Sequence, residues 1–237
     1  MLSSYEWLSI PAGDYEIGLR EDEARSLADQ VAREAREAAA RDPDQWRPER
    51  EVNQLAERWG NPDYLYMQLA HSMPAHRVSL PAFSITKTPV TLANWTAFRI
   101  ATGAAPRETF DAPGKPHVPS PDEPVTGVSW DEAKAFAEWK EAALPREAEW
   151  EAALRHSRSA FGDVGHDLYE WTADEFVPYP GADKHAFARI APPPGGWWGT
   201  RTRRAGAIPG FPTTVVGRRG ADPTLRLRDT TFRLVRR

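Results

Sequence analysis

The chain has 237 residues, of which 41% are hydrophobic and 11% aromatic, which is enough for one large domain with a well-formed core. It contains no cysteine, so its residues exclude disulfide bonds, thiolate metal sites and cysteine nucleophiles. No apolar run reaches the ~18 residues of a membrane span, and the N-terminus lacks the basic and apolar regions of a secretory signal. We therefore expect a cytoplasmic protein without a membrane span.

Charged residues are unevenly distributed along the chain. Residues 199–237 contain ten arginines and two aspartates, a net charge of +8, whereas the whole chain carries −4. This asymmetry predicts either a polarised surface or arginines that pair with an acidic body inside the fold. Arginine also outnumbers lysine 25 to 5, and methionine, asparagine and glutamine are scarce, which indicates a thermophilic source or a GC-rich genome.

The first 70 residues predict two short strands followed by helices. Residues 5–18 have β-type segments on either side of a Pro-Ala-Gly turn. Leu27, Val31 and Ala35 then recur at helical spacing, and an Asp-Pro pair ends this amphipathic helix after residue 41. A second helical pattern ends at a glycine at position 60. We expect residues 20–70 to be a helical insertion that serves in packing or oligomerisation.

The middle of the chain alternates between strand and helix signals. Apolar and polar residues alternate over residues 78–85, which predicts strands. Thr91 is then placed to cap a helix that Gly103 closes. Residues 104–123 are rich in proline and predict a long surface loop. After residue 165 helical periodicity is almost absent, so short strands and long loops are expected.

Two helices are predicted between residues 129 and 156. Ser129 and Glu132 form a capping box for the first. Pro145 is expected in the first turn of the second, where its fixed φ angle favours the helix. Glu151 and Arg155 are spaced for an ion pair on one helix face. We interpret this second helix, with its acidic first turn, as scaffold and not as catalytic machinery.

Six segments carry a recognisable pattern: WLSIPAGDYEIG, HRVSLPAFSITKTPVTLANWTAF, PVTGVSWDEAKAFAEW, LPREAEWEAALR, LYEWTADEF and TFRLVRR. They occur in the order found in formylglycine-generating-enzyme-like, or sulfatase-modifying-factor, domains. The chain therefore resembles that family over nearly its whole length. The resemblance implies an α+β, C-type-lectin-like fold with small twisted sheets, two main helices and long loops. We expect residues 1–237 to form a single domain of this kind, elaborated by the helical insertion.

The residues that the family uses for catalysis are missing. Formylglycine-generating enzymes hold copper with two cysteines near the C-terminus, and this chain has neither a cysteine nor a methionine there. The related sulfoxide synthases of thiohistidine biosynthesis bind iron through three histidines of a helical bundle. The insertion here has only His71 near its end, with His76 beyond it. The other histidines are scattered: His117, His156, His166 and His185. We therefore expect no enzyme, no metal centre and no cofactor.

Structural calcium is a further feature that the resemblance implies. The family often binds it near a Gly-Asn-Val-Trp-Glu-Trp motif. Here the stretch reads GHDLYEW, with His166 at the asparagine position. Because histidine is a poor ligand for a hard cation, His166 counts against calcium at this position.

The C-terminal segment, about residues 195–230, departs most from the family pattern. Its Gly-Gly-Ser-Trp element is either GGWWG from Gly195 or RAGAI from Arg204, and both alternatives stay open. The chain here resembles variable proteins of diversity-generating retroelements, which use this scaffold without cysteines and vary near the C-terminus. We therefore expect a non-catalytic, receptor-type protein that binds an unknown protein or other macromolecule. The predicted ligand-binding residues are Trp197, Trp198, Ile208, Phe211, Thr213, Val215, Arg218, Arg219, Asp222, Leu225, Arg226 and Arg228.

Two alternative functions stay open at this point. The first is a metal-dependent oxidase, related to the sulfoxide synthases, that works with a partner domain. The second is a module for single-stranded nucleic acid, in which Trp197, Trp198 and Phe211 stack on bases and the arginines neutralise phosphates. We rank the nucleic-acid alternative last, because the whole chain carries a net negative charge.

Overall fold

The computed structural model describes residues 5–41, 60–103, 120–162, 168–189, 199–204 and 217–237. Within these ranges the chain combines helices with short strands in small sheets, which confirms the predicted α+β class. The helices are α1 Glu21–Arg41, α2 Pro62–Leu69, α3 Leu92–Thr102, α4 Trp130–Trp139, α5 Glu147–His156 and α6 Lys184–Arg189. The strands are β1 Trp7–Ile10, β2 Gly13–Ile17, β3 His76–Leu80, β4 Phe83–Thr86, β5 Tyr169–Glu175, β6 Arg201–Arg204, β7 Arg218–Ala221, β8 Thr230–Phe232 and β9 Val235–Arg236.

The strands of the described residues form three small sheets. β1, β4 and β9 make an antiparallel sheet in that order, and β2 pairs antiparallel with β3. The third sheet has the order β7-β6-β5-β8, in which β5 and β8 run parallel and the other pairs antiparallel. Because β8 and β9 are close in sequence but belong to different sheets, the last residues of the chain connect two of the sheets.

Two aromatic-rich clusters form the core. In the first, Trp95 of α3 stacks on Phe136 of α4 with 5.7 Å between ring centroids, and Phe136 contacts Phe232 of β8 edge-on at 5.4 Å. In the second, Trp150 of α5 meets Phe161 edge-on at 5.7 Å. Burial of each such side chain stabilises the fold by about 1.5–3 kcal/mol. The second cluster also includes apolar residues of β1 and β4, so it holds α5 against the three-stranded sheet.

The predicted helix caps of α3 and α4 are confirmed. The Thr91 hydroxyl accepts a hydrogen bond from the backbone N–H of Asn94, and Gly103 closes α3 with a left-handed φ of 67°. Ser129 and Glu132 make the reciprocal hydrogen bonds of a capping box at the start of α4. Each of these contacts joins residues within four positions of each other, which is why the sequence pattern was sufficient to predict them.

Helix α5 begins two residues later than predicted. Glu147 is its first residue, Arg146 is extended with a ψ of 154°, and Pro145 lies outside the helix. The Arg146 N–H donates to the Glu149 carboxylate at 2.7 Å, and the Glu147 N–H donates to the Asp174 carboxylate. The start of the helix is therefore determined by carboxylate acceptors for its first N–H groups and not by the proline.

Helices α1 and α2 lie between β2 and β3 in the chain. Val31 and Ala35 of α1 pack with Leu65 of α2 in a small apolar cluster. The Asp-Pro pair predicted to end α1 lies outside the described residues. The second predicted helix lies outside the described residues except for Gly60. No helix of the described ranges is both long and apolar enough to cross a membrane.

Candidate functional site

Three carboxylates at the start of α5 are buried. Glu147, Glu149 and Glu151 expose 5% or less of their surface. Burial of a charged group is costly unless an opposite charge compensates it. Each of the three has such a partner among residues 199–237: Arg218 and Arg204 for Glu147, Arg204 for Glu151, and Arg237 for Glu149.

Glu147 lies at the centre of this buried ionic cluster. Arg218 donates to both of its oxygens, at 2.5 and 3.1 Å, and Arg204 donates to Oε1 at 2.8 Å. The Tyr179 hydroxyl also donates to Oε1. Burial alone would raise the pKa of Glu147, but the two guanidinium groups outweigh it and lower the pKa to about 2. Glu147 is therefore ionised at neutral pH despite its burial.

Glu151 and Arg155 form the predicted ion pair, at 2.7 Å. Glu151 also makes two contacts that the sequence did not predict. Its other oxygen binds Arg204 at 2.6 Å, and its carboxylate accepts the Gly18 N–H at 2.9 Å. The cluster thus links α5, β6 and the residue after β2. A rigid floor of paired charges results.

A cleft of about 270 Å³ opens above Glu147 and Arg218. The rings of His76 and Tyr179 lie on one side, with their centroids 4.5 Å apart. The guanidinium carbon of Arg218 lies 4.3 Å from the centroid of the Tyr179 ring. Its remaining lining combines apolar and acidic residues: Ile17, Ala148, Asp174, Glu175, Val177, Pro178 and Pro180. A cleft with a polar floor and apolar walls suits a small molecule that carries a charged group.

Asp174 is a carboxylate of this cleft whose pKa is raised. Burial, together with the charges of Glu147 and Glu149, raises the pKa of Asp174 above its ordinary value, against the hydrogen bond from the Glu147 N–H. The neighbouring Glu175 side chain is mostly exposed and lies 4.0 Å from Arg201. The lining of the cleft thus includes two adjacent acidic residues, Asp174 and Glu175.

The described residues contain no group of three or more His, Asp, Glu or Cys side chains placed to hold a metal ion. Copper bound by thiolates does not fit a chain without cysteine. His71 does not fit either, since it is buried between Phe176 and Phe187, with centroids at 4.9 and 4.5 Å. Burial and the charges of Arg219 and Arg218 lower the pKa of His71 to about 3, so it is neutral at physiological pH.

The structure separates the predicted ligand-binding residues. Arg218 is buried and bound to Glu147, so it does not belong to an exposed face, although it lines the cleft. Arg219 donates to Gln68, and Arg226 binds both oxygens of Glu132. Asp222 caps a turn by accepting from Thr224, Leu225 is half-buried, and Arg228 is exposed. Trp197, Trp198, Ile208, Phe211, Thr213 and Val215 lie outside the described residues, so the binding role of the set stays a prediction.

Much of the positive charge near the C-terminus is balanced by ion pairs. At least seven of the ten C-terminal arginines pair with carboxylates: Arg201, Arg203, Arg204, Arg218, Arg226, Arg233 and Arg237. Arg203, Arg204, Arg218 and Arg233 are also buried, so these four pair inside the fold and do not contribute to a basic surface.

Sequence reasoning missed the cleft. It treated Glu147 as scaffold and did not single out Asp174, Glu175 or Tyr179. One signal was present, since the two adjacent acidic residues Asp174 and Glu175 end the strand β5, beyond its buried residues.

Residues 4–165 match the family described as the sulfatase-modifying factor enzyme 1-like domain. A hercynine oxygenase of Mycolicibacterium thermoresistibile is 28% identical, with 53% of this chain and 43% of the relative covered. A formylglycine-generating enzyme of Streptomyces coelicolor is 32% identical, with 44% of each chain covered. The chain thus spans less than half the length of these curated relatives.

Two solved structures share the fold. PvdO from Pseudomonas aeruginosa has a TM-score of 0.60 at 18% identity and covers 98% of this chain and 94% of its own. Treponema denticola variable protein 1 has a TM-score of 0.53 at 16% identity, with 99% and 96% covered. These likenesses confirm the predicted lectin-like fold, and at such identities they support the fold alone.

The sequence relatives correct one expectation. The missing copper ligands led to the prediction that this protein is not an enzyme. The curated relatives are hercynine oxygenases and formylglycine-generating enzymes, which are enzymes, and that finding overturns the prediction. Loss of one metal-binding motif excludes one chemistry and leaves others open.

Proposed function

The chain belongs to the sulfatase-modifying factor enzyme 1-like family, and from this premise we propose that it is the substrate-binding part of a metal-dependent oxygenase or oxidase. The metal would be held by ligands outside the described residues, either elsewhere in the protein or on another polypeptide. The substrate would be a small molecule with an ammonium group, bound in the cleft above Glu147.

The extent of the match to the hercynine oxygenases carries this proposal. The match covers about half of this chain and less than half of the relative, so the relative has a large additional part. The described residues of this chain contribute a cleft and no group of metal ligands. Binding of the substrate is therefore the contribution that these residues can make.

The chemistry of the cleft supports a cationic substrate. Asp174 and Glu175 offer carboxylates, whereas the positive charge of Arg218 is already balanced by Glu147. An ammonium group near Asp174 would stabilise its ionised form and offset the effect of burial on its pKa. Hercynine, the trimethylated betaine of histidine, has such a group, and Val177 and Pro178 could cover its apolar atoms.

The floor of the cleft would act by positioning. Glu147 is held by Arg218, Arg204 and Tyr179, so it cannot swing toward a ligand without breaking several charge-assisted hydrogen bonds. Asp174 and Glu175 would then orient the ammonium group against fixed walls.

Titration calorimetry with hercynine tests the binding role. We expect saturable binding to the unmodified protein and about a tenfold or greater loss in the double variant Asp174→Asn with Glu175→Gln. Glu138→Gln, on the exposed face of α4, is the matched control and should bind normally. Absence of saturable hercynine binding to the unmodified protein would contradict the proposed substrate.

Metal-dependent activity needs a separate test. Oxygen uptake by the full chain would be measured with hercynine and a thiol, with ferrous iron and copper(I) as separate arms. Uptake that requires hercynine supports the proposal. If purified protein has no bound transition metal and shows no such uptake in any arm, this chain does not hold the metal itself, and the proposal then depends on hercynine binding to the cleft.

Display of a binding surface by the C-terminal segment is a second proposal. The turn at residues 222–228 favours it, because Arg226 and Arg228 are exposed there on a capped, defined backbone. The structural likeness to a variable protein supports only the fold that such a role needs. A reverse-transcriptase gene beside this one, with a near-copy of the 3′ coding end, would support it, and the absence of both would remove it.

A further inference from the structure

The strand register places three polar residues in a row on the three-stranded sheet. Ser9 of β1 faces Ser84 of β4, and Ser84 faces Arg236 of β9. Opposite residues of neighbouring antiparallel strands project from the same face of a sheet. The alternate residues Ile85 and Val235 are buried in the core. The row of Ser9, Ser84 and Arg236 therefore lies on the outer face.

A groove of about 470 Å³ runs over this row, separate from the cleft above Glu147. Such a volume lies within the range of small-molecule sites. Pro11, Ala82 and Arg237 also line it, together with Ile10 and Phe83, whose side chains are buried on the inner face. A bound molecule could thus place a polar group on the row and its remainder against Pro11 and Ala82.

Arg236 supplies the positive charge of this groove. Its guanidinium carbon lies 4.4 Å from the centroid of the Trp7 ring, and Trp7 precedes Ser9 by two residues on the same face. No carboxylate within the described residues forms an ion pair with Arg236. The neighbouring Arg237 differs, since both oxygens of Glu149 bind it at 2.7 and 2.8 Å.

We propose that this groove binds a small molecule through a carboxylate or phosphate group. The Arg236 guanidinium, held over the Trp7 ring, presents N–H donors for two oxygens of the anion. The Ser9 and Ser84 hydroxyls add donors along the row, and neither accepts or donates a hydrogen bond with another described side chain. Pro11 and Ala82 contact the remainder of the ligand. This site is independent of the proposed function of the cleft.

A nuclear magnetic resonance titration with inorganic phosphate and, separately, with succinate tests the site. We expect saturable shifts of the backbone amides of Ser84 and Arg236 with at least one of the two anions. Arg236→Gln should weaken the binding about tenfold or more, because it removes the charge and the paired donors. Arg77→Gln, an exposed arginine on β3, is the matched control and should bind as the unmodified protein does.

Further arms keep the test decisive. Arg236 is exposed, so unfolding in urea should be nearly unchanged in Arg236→Gln, and Ser84→Ala gives a second variant with an intact charge. Cosedimentation with phosphatidylglycerol vesicles separates a lipid headgroup from a free anion. Binding to vesicles alone, or equal binding by Arg236→Gln and the unmodified protein, would overturn the proposal.

Discussion

Replacing Glu170 by glutamine removes the only negative charge that the described residues place against the buried Arg233. Arg233 is fully buried, and its Nε donates to both Glu170 oxygens, at 3.0 and 2.8 Å. The same carboxylate accepts the indole N–H of Trp150 at 2.9 Å. The variant Glu170→Gln therefore leaves a buried guanidinium without a counter-charge next to a core tryptophan.

The expected loss of stability is large. Breaking a buried ion pair by removing one partner costs about 3–5 kcal/mol, since the remaining charge stays desolvated. With a urea m-value of about 2–3 kcal/mol/M, the midpoint of unfolding should fall by roughly 1–2 M. Equilibrium unfolding in urea, followed by tryptophan fluorescence, measures this shift.

A control variant and a double variant separate the buried charge from a general effect of substitution. Glu6→Gln breaks an exposed ion pair with Lys87 and should cost less than about 1 kcal/mol. Glu170→Gln with Arg233→Met should be more stable than Glu170→Gln alone. Its recovery should be partial, because Arg233 also donates to the carbonyl oxygens of Thr86 and Gly162. A loss below about 1 kcal/mol for Glu170→Gln would refute this reasoning.

Two further predictions concern stability. Although burial opposes it, pairing with Arg218 and Arg204 lowers the pKa of Glu147 to about 2 from an ordinary 4.5, so its contribution is present above about pH 4.5 and is lost as the pH falls toward 2. Urea unfolding at a series of pH values should show the free energy of unfolding of the unmodified protein approaching that of Glu147→Gln as the pH falls toward 2. A difference between the two that stays constant with pH would contradict the pairing. Gly220→Ala should cost about 1–3 kcal/mol, because its Cβ would lie 2.5 Å from Cδ1 of Phe176. Thermal unfolding measures it, and an unchanged midpoint would show that Phe176 can move away.

Local features of this protein follow from its sequence. The caps of α3 and α4 and the ion pair of Glu151 with Arg155 join residues at most four positions apart. Physical rules for helix ends and helix faces act over that distance, so the pattern of residues was sufficient. The ordered family segments were equally readable, and the match to the family over residues 4–165 covers the first four of the six.

Only the tertiary structure decided which charges pair. Glu147 and Glu149 could be read as ordinary acidic residues of a first helical turn, but their partners Arg204, Arg218 and Arg237 lie 57 to 88 positions away. The composition shows that acidic and basic residues are present, and it does not show which carboxylate pairs with which arginine. The same limit hid the cleft and the row on the outer sheet face, because each depends on strands brought together from distant parts of the chain. Pairing at long range is set by how the sheets and α5 pack, which no local pattern encodes.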